Sequence, residues 1–239
     1  MLVKKIYKPL LLLTLVFQGC NDFEDLNTNP NEPTSVSSGV LFSSAIRNSA
    51  QTQANESFLL GNNIAQLSAK TIRAEVDFYG WNAFPTVWEG FYESLTDVQQ
   101  VIDISIETGD TATQGAAIIY KSWIYSVLTN AYGDIPYSEA MKGLEANFTP
   151  AYDSQEAIYA DLLNSLEQAV GMLSNGGSVT GDLLYDGDTQ KWVRFANSLR
   201  LRLLMYQSGK QDVSAAFASI VNSGNIINSN DNQAAVTFL

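Results

Sequence analysis

A cluster of aromatic and polar residues between positions 73 and 84 has the composition of a sugar-binding site. Sugars present C–H faces that stack on aromatic rings, and hydroxyl groups that pair with carboxylates, amides or guanidinium groups. The cluster supplies both kinds of group, in Arg73, Asp77, Tyr79, Trp81, Asn82 and Phe84. Gly80 and Pro85 predict a loop here, where binding residues concentrate. The alternative is that Phe78, Trp81 and Phe84 pack against the rest of the protein.

Cys20 is the only cysteine in the 239 residues, and it follows an apolar run over residues 10–17 that three lysines precede. A basic start, a short apolar run and a small residue are typical of a secretion signal, and the run is too short to span a membrane. The position of the cysteine directly after Gly19 resembles the lipobox of bacterial lipoproteins. This resemblance implies a lipoprotein signal peptide over residues 1–19 and acylation of Cys20. An ordinary signal peptide with an incidental cysteine is the alternative.

The composition gives little support for catalysis. Histidine is absent, which removes the commonest general base and the commonest metal ligand. No nucleophile elbow, phosphate-binding loop or dinucleotide fingerprint occurs. Asp182, Asp186 and Asp188 could suggest calcium, but their spacing is not that of an EF-hand, and Asp188 fits better as a helix N-cap. We therefore predict no catalytic residue, no metal ligand and no cofactor.

The charge of the chain argues against one class of partner. Removal of residues 1–19 takes away three of 13 basic residues and none of 25 acidic ones, which leaves a net charge of −15. Because nucleic acids bind to basic surfaces, we expect no nucleic-acid partner. Residues 20–38 are rich in Asn, Asp, Pro and Ser, a composition typical of turns. They are predicted to be an acidic tether between the lipid and the folded part of the chain.

Helical periodicity dominates residues 39–239. Apolar residues spaced by three and four predict one helix with the stripe Trp88, Phe91, Leu95, Val98 and Ile102. A wider stripe predicts a second helix buried on more than one side, with Tyr120, Trp123, Ile124, Val127, Leu128 and Ala131. Further helices are predicted over residues 39–53 and 57–73, from Asp153, from about Asp188, and around residues 213–221. Because no convincing strand pattern appears, the sequence predicts an all-α fold with few or no strands.

Three strings in the sequence resemble the SusD/RagB family of outer-membrane nutrient-binding lipoproteins. In the order of that family, they are LNTNPNEPT (26–34), NAYGDIPYSEA (130–140) and YDGDTQKWVRFANSLRLRLLM (185–205). The resemblance implies a body of tetratricopeptide-like helical hairpins over residues 39–239. Family members are usually markedly longer, so we expect this chain to be an N-terminal part of a SusD-like domain, with an incomplete body.

The resemblance also implies a location and a role. Members of the family lie on the outer face of the outer membrane, held by a lipid anchor, and Asp22, Glu24 and Asp25 are similar to the acidic surface-export signal of such lipoproteins. They capture a nutrient, most often a glycan, and act as the lid of a SusC-type TonB-dependent transporter without cleaving the ligand. The expected partners are therefore this transporter, an oligosaccharide or other nutrient, and the outer membrane.

Two other functions stay open at this point. A tetratricopeptide-like scaffold of the cell envelope would bind a protein or peptide in a concave groove poor in aromatic residues. An enzyme would show convergent carboxyl groups with strongly shifted pKa values. The identity of the ligand, glycan or peptide, is not fixed by the sequence.

Overall fold

A computed structural model describes residues 36–72, 74–80 and 85–237 of the chain. The predicted signal peptide, Cys20 and most of the predicted tether lie outside these residues. Six longer helices are described: α1 (Ser38–Glu56), α2 (Pro85–Thr108), α3 (Thr111–Tyr132), α4 (Gln155–Leu173), α5 (Thr189–Gln207) and α6 (Ser214–Asn222). Two short strands, β1 (Ile135–Pro136) and β2 (Tyr152–Asp153), pair antiparallel, with Ile135 opposite Asp153. The prediction of an all-α fold with few strands is confirmed.

The helices form hairpins in which each helix packs on its neighbours in sequence. Helix α1 packs on α2, α2 on α3, α3 on α4, and α4 on α5, which is the tetratricopeptide-like arrangement expected. Helix α3 lies at the centre and buries consecutive residues from Gly115 to Ala117, so the prediction that it is covered on more than one side is confirmed. Gly115 permits the close approach of α4, since a Cβ there would lie 3.2 Å from the carbonyl oxygen of Ala169.

An aromatic cluster joins the first helix to the fifth. The ring of Phe42 in α1 stacks on Trp192 of α5 at 5.8 Å between centroids, and it meets Tyr120 of α3 edge-on at 5.9 Å. The Tyr120 hydroxyl lies 2.6 Å from the Ser49 hydroxyl, so this buried polar group is hydrogen-bonded. These rings belong to one continuous hydrophobic core that includes residues of all helices from α1 to α5.

The aspartates before α5 stabilise a turn. Asp188 caps α5 by accepting hydrogen bonds from the backbone N–H groups of Gln190 and Lys191, as predicted. Asp182 accepts from the indole N–H of Trp192 at 2.7 Å and from the backbone N–H groups of Leu184, Tyr185 and Gly187. Among the described residues, no group of three acidic or cysteine side chains could hold a metal ion. Asp182 and Asp188 thus have structural partners within the protein.

Two helix predictions are wrong in their boundaries. The helix predicted over residues 57–73 stops early: a π-helical turn, Ser57–Gly61, and one α-turn, Asn62–Ile64, follow α1. Gln66 then takes a left-handed φ of 57°, which ends a right-handed helix. Helix α4 is capped by Ser154 and not by Asp153, because Asp153 belongs to β2 and its carboxylate accepts from the backbone N–H of Ser138 at 2.7 Å.

None of the helices in the described part of the chain combines the length and the apolar character that crossing a membrane requires.

Candidate functional site

The structure describes residues 74–80 of the predicted binding segment, which follows α1 and precedes α2 in the chain. A 3₁₀ turn, Ala74–Val76, lies in its centre, and the backbone N–H of Gly80 donates to the carbonyl oxygen of Glu75 at 2.7 Å. The carboxylate of Asp77 accepts from the backbone N–H of Lys70 at 3.0 Å and so ties the two arms of the loop together. The sequence prediction of a loop is confirmed for the part that the structure describes.

Two of the six predicted ligand-binding residues line the same cavity. Asp77 and Tyr79 face a hollow of about 450 Å³, whose other lining residues are Asn63, Gln66, Leu67, Ser68 and Ala69. Arg73, Trp81, Asn82 and Phe84 lie outside the described residues. The cavity thus offers carboxylate, amide, hydroxyl and phenol groups, which between them donate to and accept from the hydroxyl groups of a sugar.

Asn63, Gln66 and Ser68 are the members of this cavity that the sequence analysis missed. Asn63 is buried, and its amide nitrogen donates to the carbonyl oxygen of Leu59 at 3.1 Å while its amide oxygen accepts from the hydroxyl of Ser68 at 3.1 Å. The apolar pattern predicts a helix over residues 57–73, and this prediction does not single out these residues as candidates. The available signal was the density of Asn and Gln between residues 62 and 66, since Asn favours turns over helix interiors.

Aromatic side chains of the loop are directed outward. Phe78 is 80% exposed and Tyr79 is 60% exposed, so for Phe78 the alternative of packing against the protein is wrong. Tyr79 has a left-handed φ of 56°, which is uncommon for a bulky residue and is kept where the surrounding structure requires it. Exposed aromatic rings beside a polar cavity are the arrangement that sugar binding needs.

Trp88, at the start of α2, packs within an aromatic group next to this loop. Its ring lies 4.8 Å from Tyr92, 5.2 Å from Tyr132 and 6.4 Å from Tyr152. The hydroxyl of Tyr92 donates to the carbonyl oxygen of Pro136 at 2.7 Å and thereby connects α2 to β1. Trp88 is half-buried against the core, which agrees with a packing role.

Comparison with known proteins gives a clear family match. The profile of a SusD-like family, described as starch-binding and associating with the outer membrane, matches residues 30–239. No protein of curated function matches the sequence significantly.

Solved structures show the same fold. An outer-membrane protein of Bacteroides vulgatus, whose given name links it to nutrient binding, is 28% identical with a TM-score of 0.68; the match covers 85% of this chain and 44% of that protein. A SusD/RagB family protein of Bacteroides thetaiotaomicron is 26% identical with a TM-score of 0.68, over 84% and 45%. A chitin-binding protein is 29% identical with a TM-score of 0.64, over 82% and 44%. The chain therefore spans less than half the length of these proteins.

Proposed function

The chain belongs to the SusD-like family, and from this premise we propose that it captures a glycan nutrient at the cell surface and delivers it to a transporter. The observation that carries the proposal is the family match over residues 30–239 together with the loop before α2. That loop presents exposed aromatic rings beside a polar cavity. The ligand is bound and passed on without chemical change.

The proposed binding site is the loop itself. Tyr79 and Trp81 stack on sugar faces, while Arg73, Asp77 and Asn82 bond to sugar hydroxyls and Phe84 adds apolar contact. In support, Asp77 and Tyr79 already share one cavity, and Asn63 and Ser68 add polar groups to it. The description of the family points to starch, and one similar structure is a chitin-binding protein. Oligosaccharides of these two glycans are therefore the first ligands to test.

The binding test is a calorimetric titration of the purified full chain with maltoheptaose, chitohexaose and a pool of short peptides. Saturable binding of either oligosaccharide, recovered unchanged afterwards, is the expected result. Binding of the peptides alone would favour the alternative scaffold function, and hydrolysis of a bound oligosaccharide would establish an enzyme. Either outcome contradicts the proposal.

The proposed location is the outer face of the outer membrane, with acylated Cys20 as the anchor. Residues 1–19 are removed as a signal peptide, residues 20–38 form the tether, and residues 39–239 form the N-terminal part of the SusD-like domain. Two acyl chains hold a protein at a bilayer stably where one does not. Cys20→Ser is expected to move the protein from the membrane fraction to the soluble fraction, as detected by immunoblot. Retention of the variant in the membrane fraction would contradict the anchor.

The proposed partner is a SusC-type TonB-dependent transporter, for which this protein acts as a lid. Family membership supports this partner. Purification of the chain from gently solubilised outer membranes is expected to recover a large β-barrel transporter in stoichiometric amount. Purification without such a transporter would contradict the lid function while leaving glycan binding to be judged by the titration.

A further inference from the structure

A second and larger cavity lies on another part of the helical body. It has a volume of about 650 Å³ and is lined by α2, α3, α4 and the segment between the two strands. This volume is typical of small-molecule sites. Its lining begins at Gln99 of α2, about 21 Å along the helix axis from Pro85. The cavity is therefore separate from the loop before α2, and the inference drawn from it does not depend on glycan binding at that loop.

Lys121 is the central polar group of this cavity. It lies on α3, and its ammonium group donates to the side-chain oxygen of Gln99 at 2.7 Å. Burial lowers the pKa of Lys121, although the nearby carboxylates of Asp103 and Asp161 act in the opposite direction. Within the described part of the chain, neither carboxylate comes within ion-pair distance of the ammonium, since the one ion pair there joins Arg200 to Glu167. Gln99 links the ammonium to Asp103, because its amide nitrogen donates to that carboxylate at 2.8 Å. The carboxylate of Asp161 faces the cavity without meeting the ammonium.

Two tyrosines give the same cavity an aromatic wall. The rings of Tyr125 and Tyr137 pack edge-to-face at 4.6 Å, and both residues line the cavity. The hydroxyl of Tyr137 donates to the carboxylate of Asp161 at 2.6 Å, which fixes the position of that carboxylate. The wall therefore combines an apolar face with an oriented acceptor.

The charge of the lining selects the kind of ligand. Four carboxylates, of Asp103, Glu145, Asp153 and Asp161, surround the cavity with only two ammonium groups, of Lys121 and Lys142. An anion would be repelled by this excess of negative charge. A hydroxyl group suits the gap better, because it accepts from an ammonium and donates to a carboxylate at the same time.

We propose that this cavity binds one neutral sugar unit, with adjacent hydroxyls bridging the ammonium of Lys121 and the carboxylate of Asp161. The C–H face of the sugar lies against the Tyr137 ring. The chain then has two carbohydrate sites, one at the loop before α2 and one between α2, α3 and α4. A neutral sugar unit binds here whether it is free or the end of a longer oligosaccharide.

The test is saturation-transfer NMR and calorimetry of the full chain with glucose, galactose, mannose, xylose and N-acetylglucosamine, and with glucuronate as the anionic comparison. At least one neutral sugar should bind, and glucuronate should bind more weakly than glucose. Lys121→Met and Asp161→Asn should each weaken binding by about tenfold, the loss expected for a hydrogen bond to a charged group. Lys191→Met, a matched change on α5 outside this cavity, should have no effect.

The melting temperature separates a binding role of Lys121 from a purely structural one. If Lys121 binds the sugar, Lys121→Met should weaken sugar binding but leave the melting temperature unchanged or raise it, since burial of the ammonium is unfavourable. A purely structural role would instead lower the melting temperature. The proposal is overturned if no neutral sugar binds, if glucuronate binds more tightly than glucose, or if Lys121→Met binds as wild type does. Loss of monosaccharide binding in Tyr79→Ala but not in Lys121→Met would place the sugar at the loop and also overturn it.

Discussion

Replacement of Asp182 with alanine should lower the free energy of unfolding by about 3 kcal/mol, because one carboxylate holds together the turn that leads into α5. Asp182 accepts four hydrogen bonds, from the indole N–H of Trp192 and from the backbone N–H groups of Leu184, Tyr185 and Gly187. Trp192 is completely buried in the core. Its N–H group would therefore lose its partner at a place where water does not replace it.

The magnitude follows from these contacts. An unsatisfied buried donor costs about 1–3 kcal/mol, and this applies to the indole of Trp192. The three backbone donors each add roughly 0.5 kcal/mol, the low end for a net hydrogen bond. A loss of about 3 kcal/mol corresponds to a fall in melting temperature of roughly 6–12 °C for a domain of this size.

Urea unfolding followed by tryptophan fluorescence is the assay, with Asp188→Ala as the matched control. Asp188 caps α5 from an exposed position, and the loss of such a cap costs about 1 kcal/mol. Asp182→Asn keeps an acceptor oxygen, so its free energy of unfolding should lie between those of Asp182→Ala and Asp188→Ala. If Asp182→Ala is no less stable than Asp188→Ala, the structural role assigned to this carboxylate is wrong.

Two glycine variants test the fold, and a change of pH with one tyrosine variant tests its electrostatics. Gly181→Ala should destabilise the protein by about 3 kcal/mol or more. A φ of 72° is strained for alanine, and the added Cβ would lie 2.0 Å from the carbonyl oxygen of Gly39. Gly109→Ala is the control: it has a similar φ of 71° but open space around the added Cβ, so it should cost only about 1 kcal/mol in the same urea titration. Burial raises the pKa of Tyr120 and Tyr125 above its ordinary value of about 10. The unfolded chain therefore loses these protons first, and stability that is complete below pH 10 should fall above it by about 1.4 kcal/mol per pH unit for each tyrosine. Urea titrations at pH 9 and pH 11 measure this fall in the free energy of unfolding. In Tyr125→Phe, the fall between the two pH values should be smaller by the contribution of one tyrosine, about 1.4 kcal/mol. A fall that is the same in the variant would refute the assignment.

Local signals in the sequence were sufficient for most of the helices. The apolar stripe from Trp88 and the cap at Asp188 depend on residues a few positions apart, and both are found in the structure. The strand pair could not be predicted in this way. Each strand has only two residues, and the pairing joins Ile135 to Asp153, which are far apart in the sequence. The same pairing takes Asp153 away from the helix cap that its position beside α4 suggested.

For the two cavities too, local sequence signals identify only those residues whose neighbours in the sequence determine their position. The loop residues Asp77 and Tyr79, which line the smaller cavity, are predicted as candidates because binding chemistry and turn signals coincide within a few residues. Asn63 was missed, since its role depends on the π-helical turn after α1, which the apolar pattern does not predict. The cavity around Lys121 brings together side chains from Gln99 to Gln168, and only the packing of three helices puts them in one place.

The central claim is that the loop before α2 binds a glycan, and the most direct measurement compares Trp81→Ala with Tyr206→Ala in titrations with the oligosaccharide that wild type binds. Tyr206 is an exposed aromatic residue near the end of α5, so the control removes a similar ring from another surface. A buried stacking tryptophan contributes about 2 kcal/mol or more to binding, which is about 30-fold in affinity. The account predicts a loss of this size for Trp81→Ala and unchanged affinity for Tyr206→Ala. Equal affinity of Trp81→Ala and wild type would contradict it.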